Sequence, residues 1–164
     1  MAWQRKRDPA QRLTPSEARK KIERFCAYQD RCHQEVRRRL YDYGLYGDDV
    51  DQVMAGLVED RFLDEERFAR SYARGKHRIK HWGRVRIARE LRQRGLSRYC
   101  LQAAEDELDG LDYAGTLHTL LAKRRDAQDD DLHPYARRQD LIAYAQRKGY
   151  ELGLAIELAK ELVD

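Results

Sequence analysis

The chain has 164 residues, of which 38% are charged and 41% are hydrophobic, and its formal net charge at pH 7 is +4. No apolar stretch is long enough to cross a membrane, and the basic N-terminus lacks the apolar region of a signal peptide, so we expect a cytoplasmic protein without a membrane partner. Its three cysteines lack framework spacing and fit a reducing compartment.

The first third of the chain predicts three helices, because its apolar residues recur with helical rather than strand periodicity. The first helix begins at a capping box that runs from Thr14 to Glu17. The second ends at Gly44, since glycine is the usual residue in the left-handed conformation that stops a helix, and Asp48 or Asp49 caps the third. The predicted inward side chains are Ala18, Ile22, Phe25, Cys26, Val36, Leu40, Val50, Val53, Met54, Leu57 and Val58.

The middle third predicts three more helices. Acidic residues from Asp64 onward favour a helix N-terminus, where the helix dipole stabilises negative charge. A corner at Trp82-Gly83 separates the next two helices, Gly95 ends the second of them, and Ser97 caps the third. The predicted inward side chains are Phe68, Tyr72, Ile79, Val85, Ala88, Leu91, Leu101, Ala104 and Leu108.

A repeat connects these helices with the last third of the chain. An apolar residue stands four positions before each of the glycines Gly44, Gly95 and Gly149, and the glycines are 51 and 54 residues apart. Further apolar stripes at Leu117, Leu120 and Leu121 and at Leu154, Ala155, Leu158 and Leu162 complete the third unit. The sequence therefore predicts an all-α protein of three tandem three-helix repeats in an elongated, curved arrangement. The predicted boundaries are a basic tail at 1–13 and repeats at 14–63, 64–109 and 110–164.

Charge is strongly segregated along the chain. Residues 41–66 carry nine acids and one base, residues 67–98 carry twelve lysines and arginines and one acid, and residues 99–131 carry nine acids and three bases. Because lysine and arginine bind phosphates and carboxylates, the middle segment predicts a surface for nucleic acid or an acidic protein. We call its candidate contact residues the basic run: Arg70, Arg74, Lys76, Arg78, Lys80, Arg84, Arg86, Arg89, Arg92, Arg94 and Arg98. Candidate extensions are Arg37, Arg38, Arg39 and the N-terminal Arg5-Lys6-Arg7.

Each of these features also has a simpler interpretation. The basic run could be a solvated helix face with local ion pairs, but we favour a binding surface because few acids lie near it in the sequence. Trp82 could stack on a base, although an aromatic ring beside a corner glycine is more typical of a packing anchor. His77 and His81 have metal-ligand spacing, yet the cations around them repel a metal ion, so we expect no metal site.

The sequence gives no support for catalysis. It contains no phosphate-binding glycine loop, so we expect no ATP site and no cofactor. Acidic clusters at residues 48–51, 64–66 and 129–131 could imitate the ligands of a two-metal nuclease, but two of them coincide with helix N-termini and the third lies in a loop. We therefore expect a binding protein and not an enzyme.

Residues 57–72, LVEDRFLDEERFARSY, closely resemble the signature of the RecX family. The resemblance extends to Trp82-Gly83, Arg86-Ile87, Glu90-Leu91 and Gly95-Leu96, and it covers about residues 15–163. It is strongest in the second predicted repeat. In the first repeat, Cys32 stands where the family more often has a small hydroxyl residue as a helix cap.

The resemblance implies tandem three-helix repeats and a regulator of the RecA recombinase in homologous recombination, DNA repair and the SOS response. Such proteins bind the RecA filament on single-stranded DNA and typically inhibit its ATPase, strand-exchange and coprotease activities. They also bind single- and double-stranded DNA directly, which we expect to be the weaker interaction. We expect a monomer, because the terminal repeats carry no apolar outer stripe.

A second hypothesis stays open at this point. The chain could be a stand-alone DNA-binding protein that reads a groove through a helix-turn-helix and acts without RecA. A plain DNA binder loses affinity steeply with salt and needs no RecA, whereas a RecA modulator changes RecA ATPase at concentrations below those needed for DNA binding alone.

Overall fold

The computed structural model of the protein describes residues 12–164, and helices are the regular secondary structure within them. The helices are α1 (Pro15–Tyr28), α2 (His33–Asp42), α3 (Asp48–Glu59), α4 (Glu65–Gly75), α5 (Arg84–Gln93), α6 (Arg98–Asp109), α7 (Tyr113–Asp126), α8 (Pro134–Lys148) and α9 (Leu152–Leu162). A π-helical turn, Lys76–Lys80, continues α4. The predicted all-α class is confirmed, whereas the three-repeat count, the repeat boundaries and the curvature stay predictions. The N-terminal cluster Arg5-Lys6-Arg7 lies outside the described residues.

The chain forms two compact units. The first runs to Phe68 and includes Arg94–Leu96, and the second comprises Ala69–Gln93 and Ser97–Asp164. Within residues 12–164, every helix is too short or too polar to cross a bilayer.

The first unit is built on one apolar core. Helices α1, α2 and α3 pack on one another, because each presents an apolar stripe at helical spacing. The buried side chains of this core are Ala18, Ile22, Cys26, Val36, Leu40, Leu45, Val50, Val53, Met54, Leu57 and Leu63. Most of the predicted inward residues of this part of the chain are therefore confirmed.

Arg67 holds together the turn that follows α3. Its guanidinium donates hydrogen bonds to the carbonyl oxygens of Arg61 and Phe62, at 3.2 and 3.3 Å, and pairs with the carboxylate of Asp30 at 2.6 Å. Arg61 itself adopts a positive φ of 63°. The charge of Arg67 thus satisfies backbone carbonyls beyond the end of a helix, which is a structural role.

The second unit contains a core between α7, α8 and α9. Its buried side chains are Tyr113, Leu117, Leu121, Leu141, Ala145, Tyr150, Ala155, Leu158, Ala159 and Val163. Helices α5 and α6 also pack on each other. They bury Ile87, Ala88, Leu91, Cys100, Ala103, Ala104 and Leu108.

Several predicted helix ends are confirmed. Thr14 and Ser97 accept hydrogen bonds from the backbone N–H groups of Glu17 and Cys100, at 3.2 and 3.3 Å. Gly44, Gly95 and Gly149 all have positive φ. The expected cap of α3 was wrong, because Gly47 and neither aspartate occupies the N-cap position.

Cys32 stands at the N-cap of α2 and makes no side-chain capping bond. The backbone N–H of His33 instead donates to Oε2 of Glu65 at 3.1 Å. A carboxylate from the first turn of α4 therefore replaces the missing hydroxyl cap, and it suits the positive end of the helix dipole.

Three predicted inward residues are exposed: Val58 by 47%, Ile79 by 74% and Val85 by 52%. Val58 lies eight residues after Val50 and is rotated about 80° from it around the helix, at the edge of the apolar stripe. The other two errors flank the corner. In the π-helical turn the buried residue is His77, four residues after the buried Ala73, and Ile79 lies two residues beyond it on the solvent side.

Two glycines allow two backbone segments of the second unit to contact each other directly. The N–H of Gly83 donates to the carbonyl of Lys148 at 2.8 Å, and the N–H of Val85 donates to the carbonyl of Gly149 at 2.9 Å. A Cβ atom on Gly149 would collide with the backbone nitrogen and Cβ of Arg86, and Gly149 also has a φ of +95°. Glycine is required here by both contact and conformation.

We expect Gly149→Ala to lower the free energy of unfolding by about 2 kcal/mol, because it combines a strained φ with a backbone collision. Gly153→Ala is the matched control, since Gly153 lies in α9 and an alanine methyl there would meet no atom within 4 Å. That control should stabilise the protein by roughly 0.5 kcal/mol through helix propensity. Urea denaturation of both variants measures the difference, and equal stabilities would contradict the role of this contact.

Candidate functional site

The basic run does not lack acidic partners. The Arg74 guanidinium pairs with Oε1 of Glu107 at 2.7 Å, and Arg70 pairs with Oε2 of the same carboxylate at 3.4 Å. These hydrogen bonds, that of Arg74 foremost, hold the pKa of Glu107 below its ordinary value. The sequence analysis expected unpaired positive charge because few acids lie near the basic run in the sequence. In the fold, helix packing brings acids from residues 99–131 next to these arginines.

Arg84 is similarly engaged. Its guanidinium lies 4.0 Å from the centroid of the Tyr113 ring, pairs with Asp109, and approaches Glu151 at 3.8 Å. The Tyr113 hydroxyl donates to Glu151 at 2.9 Å and accepts from the Arg84 backbone N–H at 3.0 Å. Burial raises the pKa of the Tyr113 hydroxyl, which therefore stays protonated and able to donate.

Three further members of the basic run contact their own unit. In the first unit, Arg94 approaches Glu35 at 3.8 Å. In the second, Arg86 and Lys76 lie 4.1 and 5.1 Å from the centroid of the Trp82 ring. These cations contribute to packing as well as to surface charge.

The remaining members of the basic run are exposed. We call them the outward cations: Arg78, Lys80, Arg89, Arg92 and Arg98. Arg89 and Arg92 are three residues apart on α5 and so share a helix face. Arg98 occupies the first turn of α6, where the helix dipole disfavours positive charge. The outward cations form the part of the basic run best placed to meet a partner.

The three arginines of the candidate extension on α2 also divide into side chains that contact other residues and one that is exposed. Arg37 pairs with Asp51 at 3.1 Å, and Arg39 lies 4.5 Å from the centroid of the Phe25 ring. Arg38 is exposed. The extension is therefore weaker than its three consecutive arginines suggest.

Trp82 and His77 lie in the joint, which we define as the contact between residues 76–86 and residues 144–151 within the second unit. Nδ1 of His77 lies 2.9 Å from the carbonyl oxygen of Trp82, and the His77 ring stacks on Tyr113 at 5.4 Å. Tyr150 donates its hydroxyl to the carbonyl of His81 at 2.9 Å. These contacts fit a packing role for the corner, and no group of three or more metal-ligating side chains occurs in residues 12–164.

The structure adds cations that the sequence analysis did not select. Arg124, Arg147 and Lys148 lie 4.5, 6.0 and 6.0 Å from the centroid of the Tyr144 ring. Lys148 also donates from Nζ to the carbonyl of Lys80 at 3.3 Å. Little in the sequence favoured the selection of Arg147 and Lys148, because basic residues are common in the last turn of a helix that ends at a glycine.

Comparisons with known proteins agree on one family. A family model described as RecX, second three-helix domain, matches residues 64–104. The regulatory protein RecX of Pseudomonas savastanoi pv. phaseolicola is 30% identical over 142 residues, covering 86% of this chain and 88% of the relative. That of Prosthecochloris aestuarii is 28% identical over 142 residues, covering 85% and 91%. The crystal structure of RecX from Lactobacillus salivarius matches the fold with a TM-score of 0.73 at 19% identity, covering 90% of this chain and 96% of the other.

Asp140 holds Arg124 beside the Tyr144 ring through a two-bond ion pair, in which both N···O distances are 2.9 Å. The hydrogen bond from Arg124 is the largest cause that lowers the Asp140 pKa from 3.8 to about 2. The carboxylate is therefore charged and stabilising above pH 4, and this contribution is lost as the pH falls through about 2.

We expect Asp140→Asn to cost about 1 kcal/mol at pH 7, a value kept small because both side chains are partly exposed to solvent. The difference from wild type should shrink between pH 4 and pH 2, as measured by thermal unfolding across that range. Asp130→Asn, in the exposed loop before α8, is the control and should have no such effect. A deficit that does not depend on pH would rule out the ion pair as its origin.

Proposed function

Because the chain belongs to the RecX family of regulatory proteins, we propose that it binds the RecA–DNA filament and inhibits RecA ATPase, strand exchange and coprotease activity. The proposal takes RecA as partner from the family resemblance. In this role the protein acts by binding and performs no chemistry of its own.

The observation that carries the proposal is the set of outward cations in the segment that matches the family model. Their side chains are exposed on helical elements, so binding would immobilise few additional backbone groups. Arg98 is informative, because a cation in the first turn of a helix is unfavourable for stability. A negatively charged partner, either DNA phosphates or carboxylates on RecA, would offset this cost.

A helical protein seated on the filament would inhibit by occupying space. Contacts to more than one RecA subunit would oppose the subunit motions coupled to ATP hydrolysis, and an occupied groove would exclude the second DNA needed for strand exchange. Both effects require affinity for the assembled filament in excess of affinity for bare DNA.

We expect the wild-type protein to inhibit RecA ATPase on single-stranded DNA, and the variant Arg78→Ala/Arg89→Ala/Arg92→Ala/Arg98→Ala to need roughly tenfold more protein for equal inhibition. The matched control is Lys20→Ala/Arg24→Ala/Lys123→Ala/Lys160→Ala, which removes the same charge from exposed positions on other helices. Circular dichroism of each protein verifies that it is folded.

The outcomes separate the hypotheses. Equal inhibition by the variant and the control would retain RecA as partner and reject the outward cations as the contact. A wild-type protein that leaves RecA ATPase unchanged, yet binds DNA with strong salt dependence, would reject the proposal in favour of a stand-alone DNA-binding protein.

A further inference from the structure

Cations far apart in the sequence meet at the joint. Nζ of Lys148 donates to the carbonyl oxygen of Lys80 at 3.3 Å, and Nη1 of Arg86 donates to the carbonyl oxygen of Arg147 at 3.4 Å. Each bond places one cationic side chain on the backbone of another cationic residue, across 68 and 61 positions of the chain. Like charges brought together in this way repel one another and cost stability.

The joint holds these charges in place with backbone bonds. The N–H of Gly83 donates to the carbonyl of Lys148, and Tyr150 donates to the carbonyl of His81. Within the described chain, the buried Nε of Arg86 has no hydrogen-bond partner. Backbone hydrogen bonds between the two segments therefore position these cations.

Two half-buried aromatic rings lie among the cations. Trp82 has Arg86 and Lys76 within 5.1 Å of its ring centroid, and Tyr144 has Arg124 at 4.5 Å and Arg147 and Lys148 at 6.0 Å. We call six of these residues the joint cluster: Lys80, Trp82, Arg86, Tyr144, Arg147 and Lys148. Two carboxylates near this cluster are engaged by other residues: Asp140 makes its two-bond pair with Arg124, and Glu151 accepts from Tyr113 and approaches Arg84.

We propose that the joint cluster is a binding site for single-stranded nucleic acid, in which Arg147, Lys148 and Lys80 contact phosphates and Tyr144 contacts a base. The inference rests on the proposed function in taking DNA as the relevant polyanion. It extends the contact surface from the basic run into the third predicted repeat.

The aromatic rings favour nucleic acid over an acidic protein surface. Carboxylates on a protein would neutralise the cations equally well, but they offer no flat base that could stack on Tyr144. Single-stranded nucleic acids offer phosphates and unstacked bases together, and proteins bind them with cationic grooves that carry aromatic side chains. A duplex keeps its bases stacked and would use the cations alone.

The test uses the full-length protein, a fluorescently labelled oligothymidylate and no RecA. Arg147→Gln/Lys148→Gln removes two charges but keeps the side-chain length and a hydrogen-bonding end. Lys123→Gln/Lys160→Gln is the matched control on α7 and α9. Fluorescence anisotropy titrations at several salt concentrations give both affinity and salt dependence.

We expect the first variant to bind about tenfold more weakly at low salt, with the slope of log K against log salt reduced in magnitude by about 1.4, and the control to match wild type. Tyr144→Leu should weaken binding roughly tenfold with an unchanged slope, because stacking releases no counterions. Thermal unfolding verifies that each variant is folded. Wild-type affinity and slope in Arg147→Gln/Lys148→Gln, or no binding of the oligonucleotide by the wild-type protein, would overturn the inference.

RecA ATPase assays of the same variants separate the two proposals. If Arg147→Gln/Lys148→Gln weakens DNA binding but the wild-type protein leaves RecA ATPase unchanged, the joint cluster stands as a nucleic-acid site and the RecA proposal is rejected. Lost RecA inhibition with intact oligonucleotide binding would assign the joint cluster to a protein contact and reject it as a nucleic-acid site.

Discussion

Backbone hydrogen bonds from Gly83 and Val85 to the end of α8 hold the corner of the second unit in place. The approach is this close because Gly83 and Gly149 have no side chains to separate the two backbones. Around it, the rings of His77, Tyr113 and Tyr150 pack on one another. His77 also contacts the carbonyl oxygen of Trp82, and Tyr150 donates to that of His81. Beside this contact, Lys148 reaches the carbonyl of Lys80 and Arg86 reaches that of Arg147.

The basic segment serves two purposes that its composition does not distinguish. Some of its arginines, such as Arg74 and Arg84, form ion pairs with acids of the next helices and contribute modestly to stability. Others, such as Arg89 and Arg92, project into solvent. A mutation that mixes the two classes would change stability and binding together, so the two must be separated before the function of the segment is tested.

Much of the fold could be predicted from the sequence because its signals are local. Helical periodicity located residues such as Leu40 and Leu117 in the core, and a hydroxyl or a glycine marked helix ends such as Thr14 and Gly149. The errors at Ile79 and Val85 arise where the local rule is interrupted, at a π-helical turn and a corner set by tertiary contacts. The partners of the basic run were likewise beyond local reasoning, because their acids lie 25 to 67 positions away in the chain.

The positive charges that meet at the joint come from residues more than 60 positions apart in the chain, so no local sequence pattern predicts their contact. Arg147 and Lys148 each have an ordinary explanation, since cations at a helix C-terminus favour the helix dipole. That explanation accounts for their presence on α8 but not for the approach of Lys80 and Arg86 to the same place. A stabilising role alone would be served better by an acid on the facing segment, as Glu107 serves the arginines of α4. The neighbouring carboxylates are engaged by other residues, Glu151 by Tyr113 and Arg84 and Asp140 by Arg124. This arrangement suits a polyanion-binding surface, because an acid that paired with the cluster would compete with the ligand for its cations.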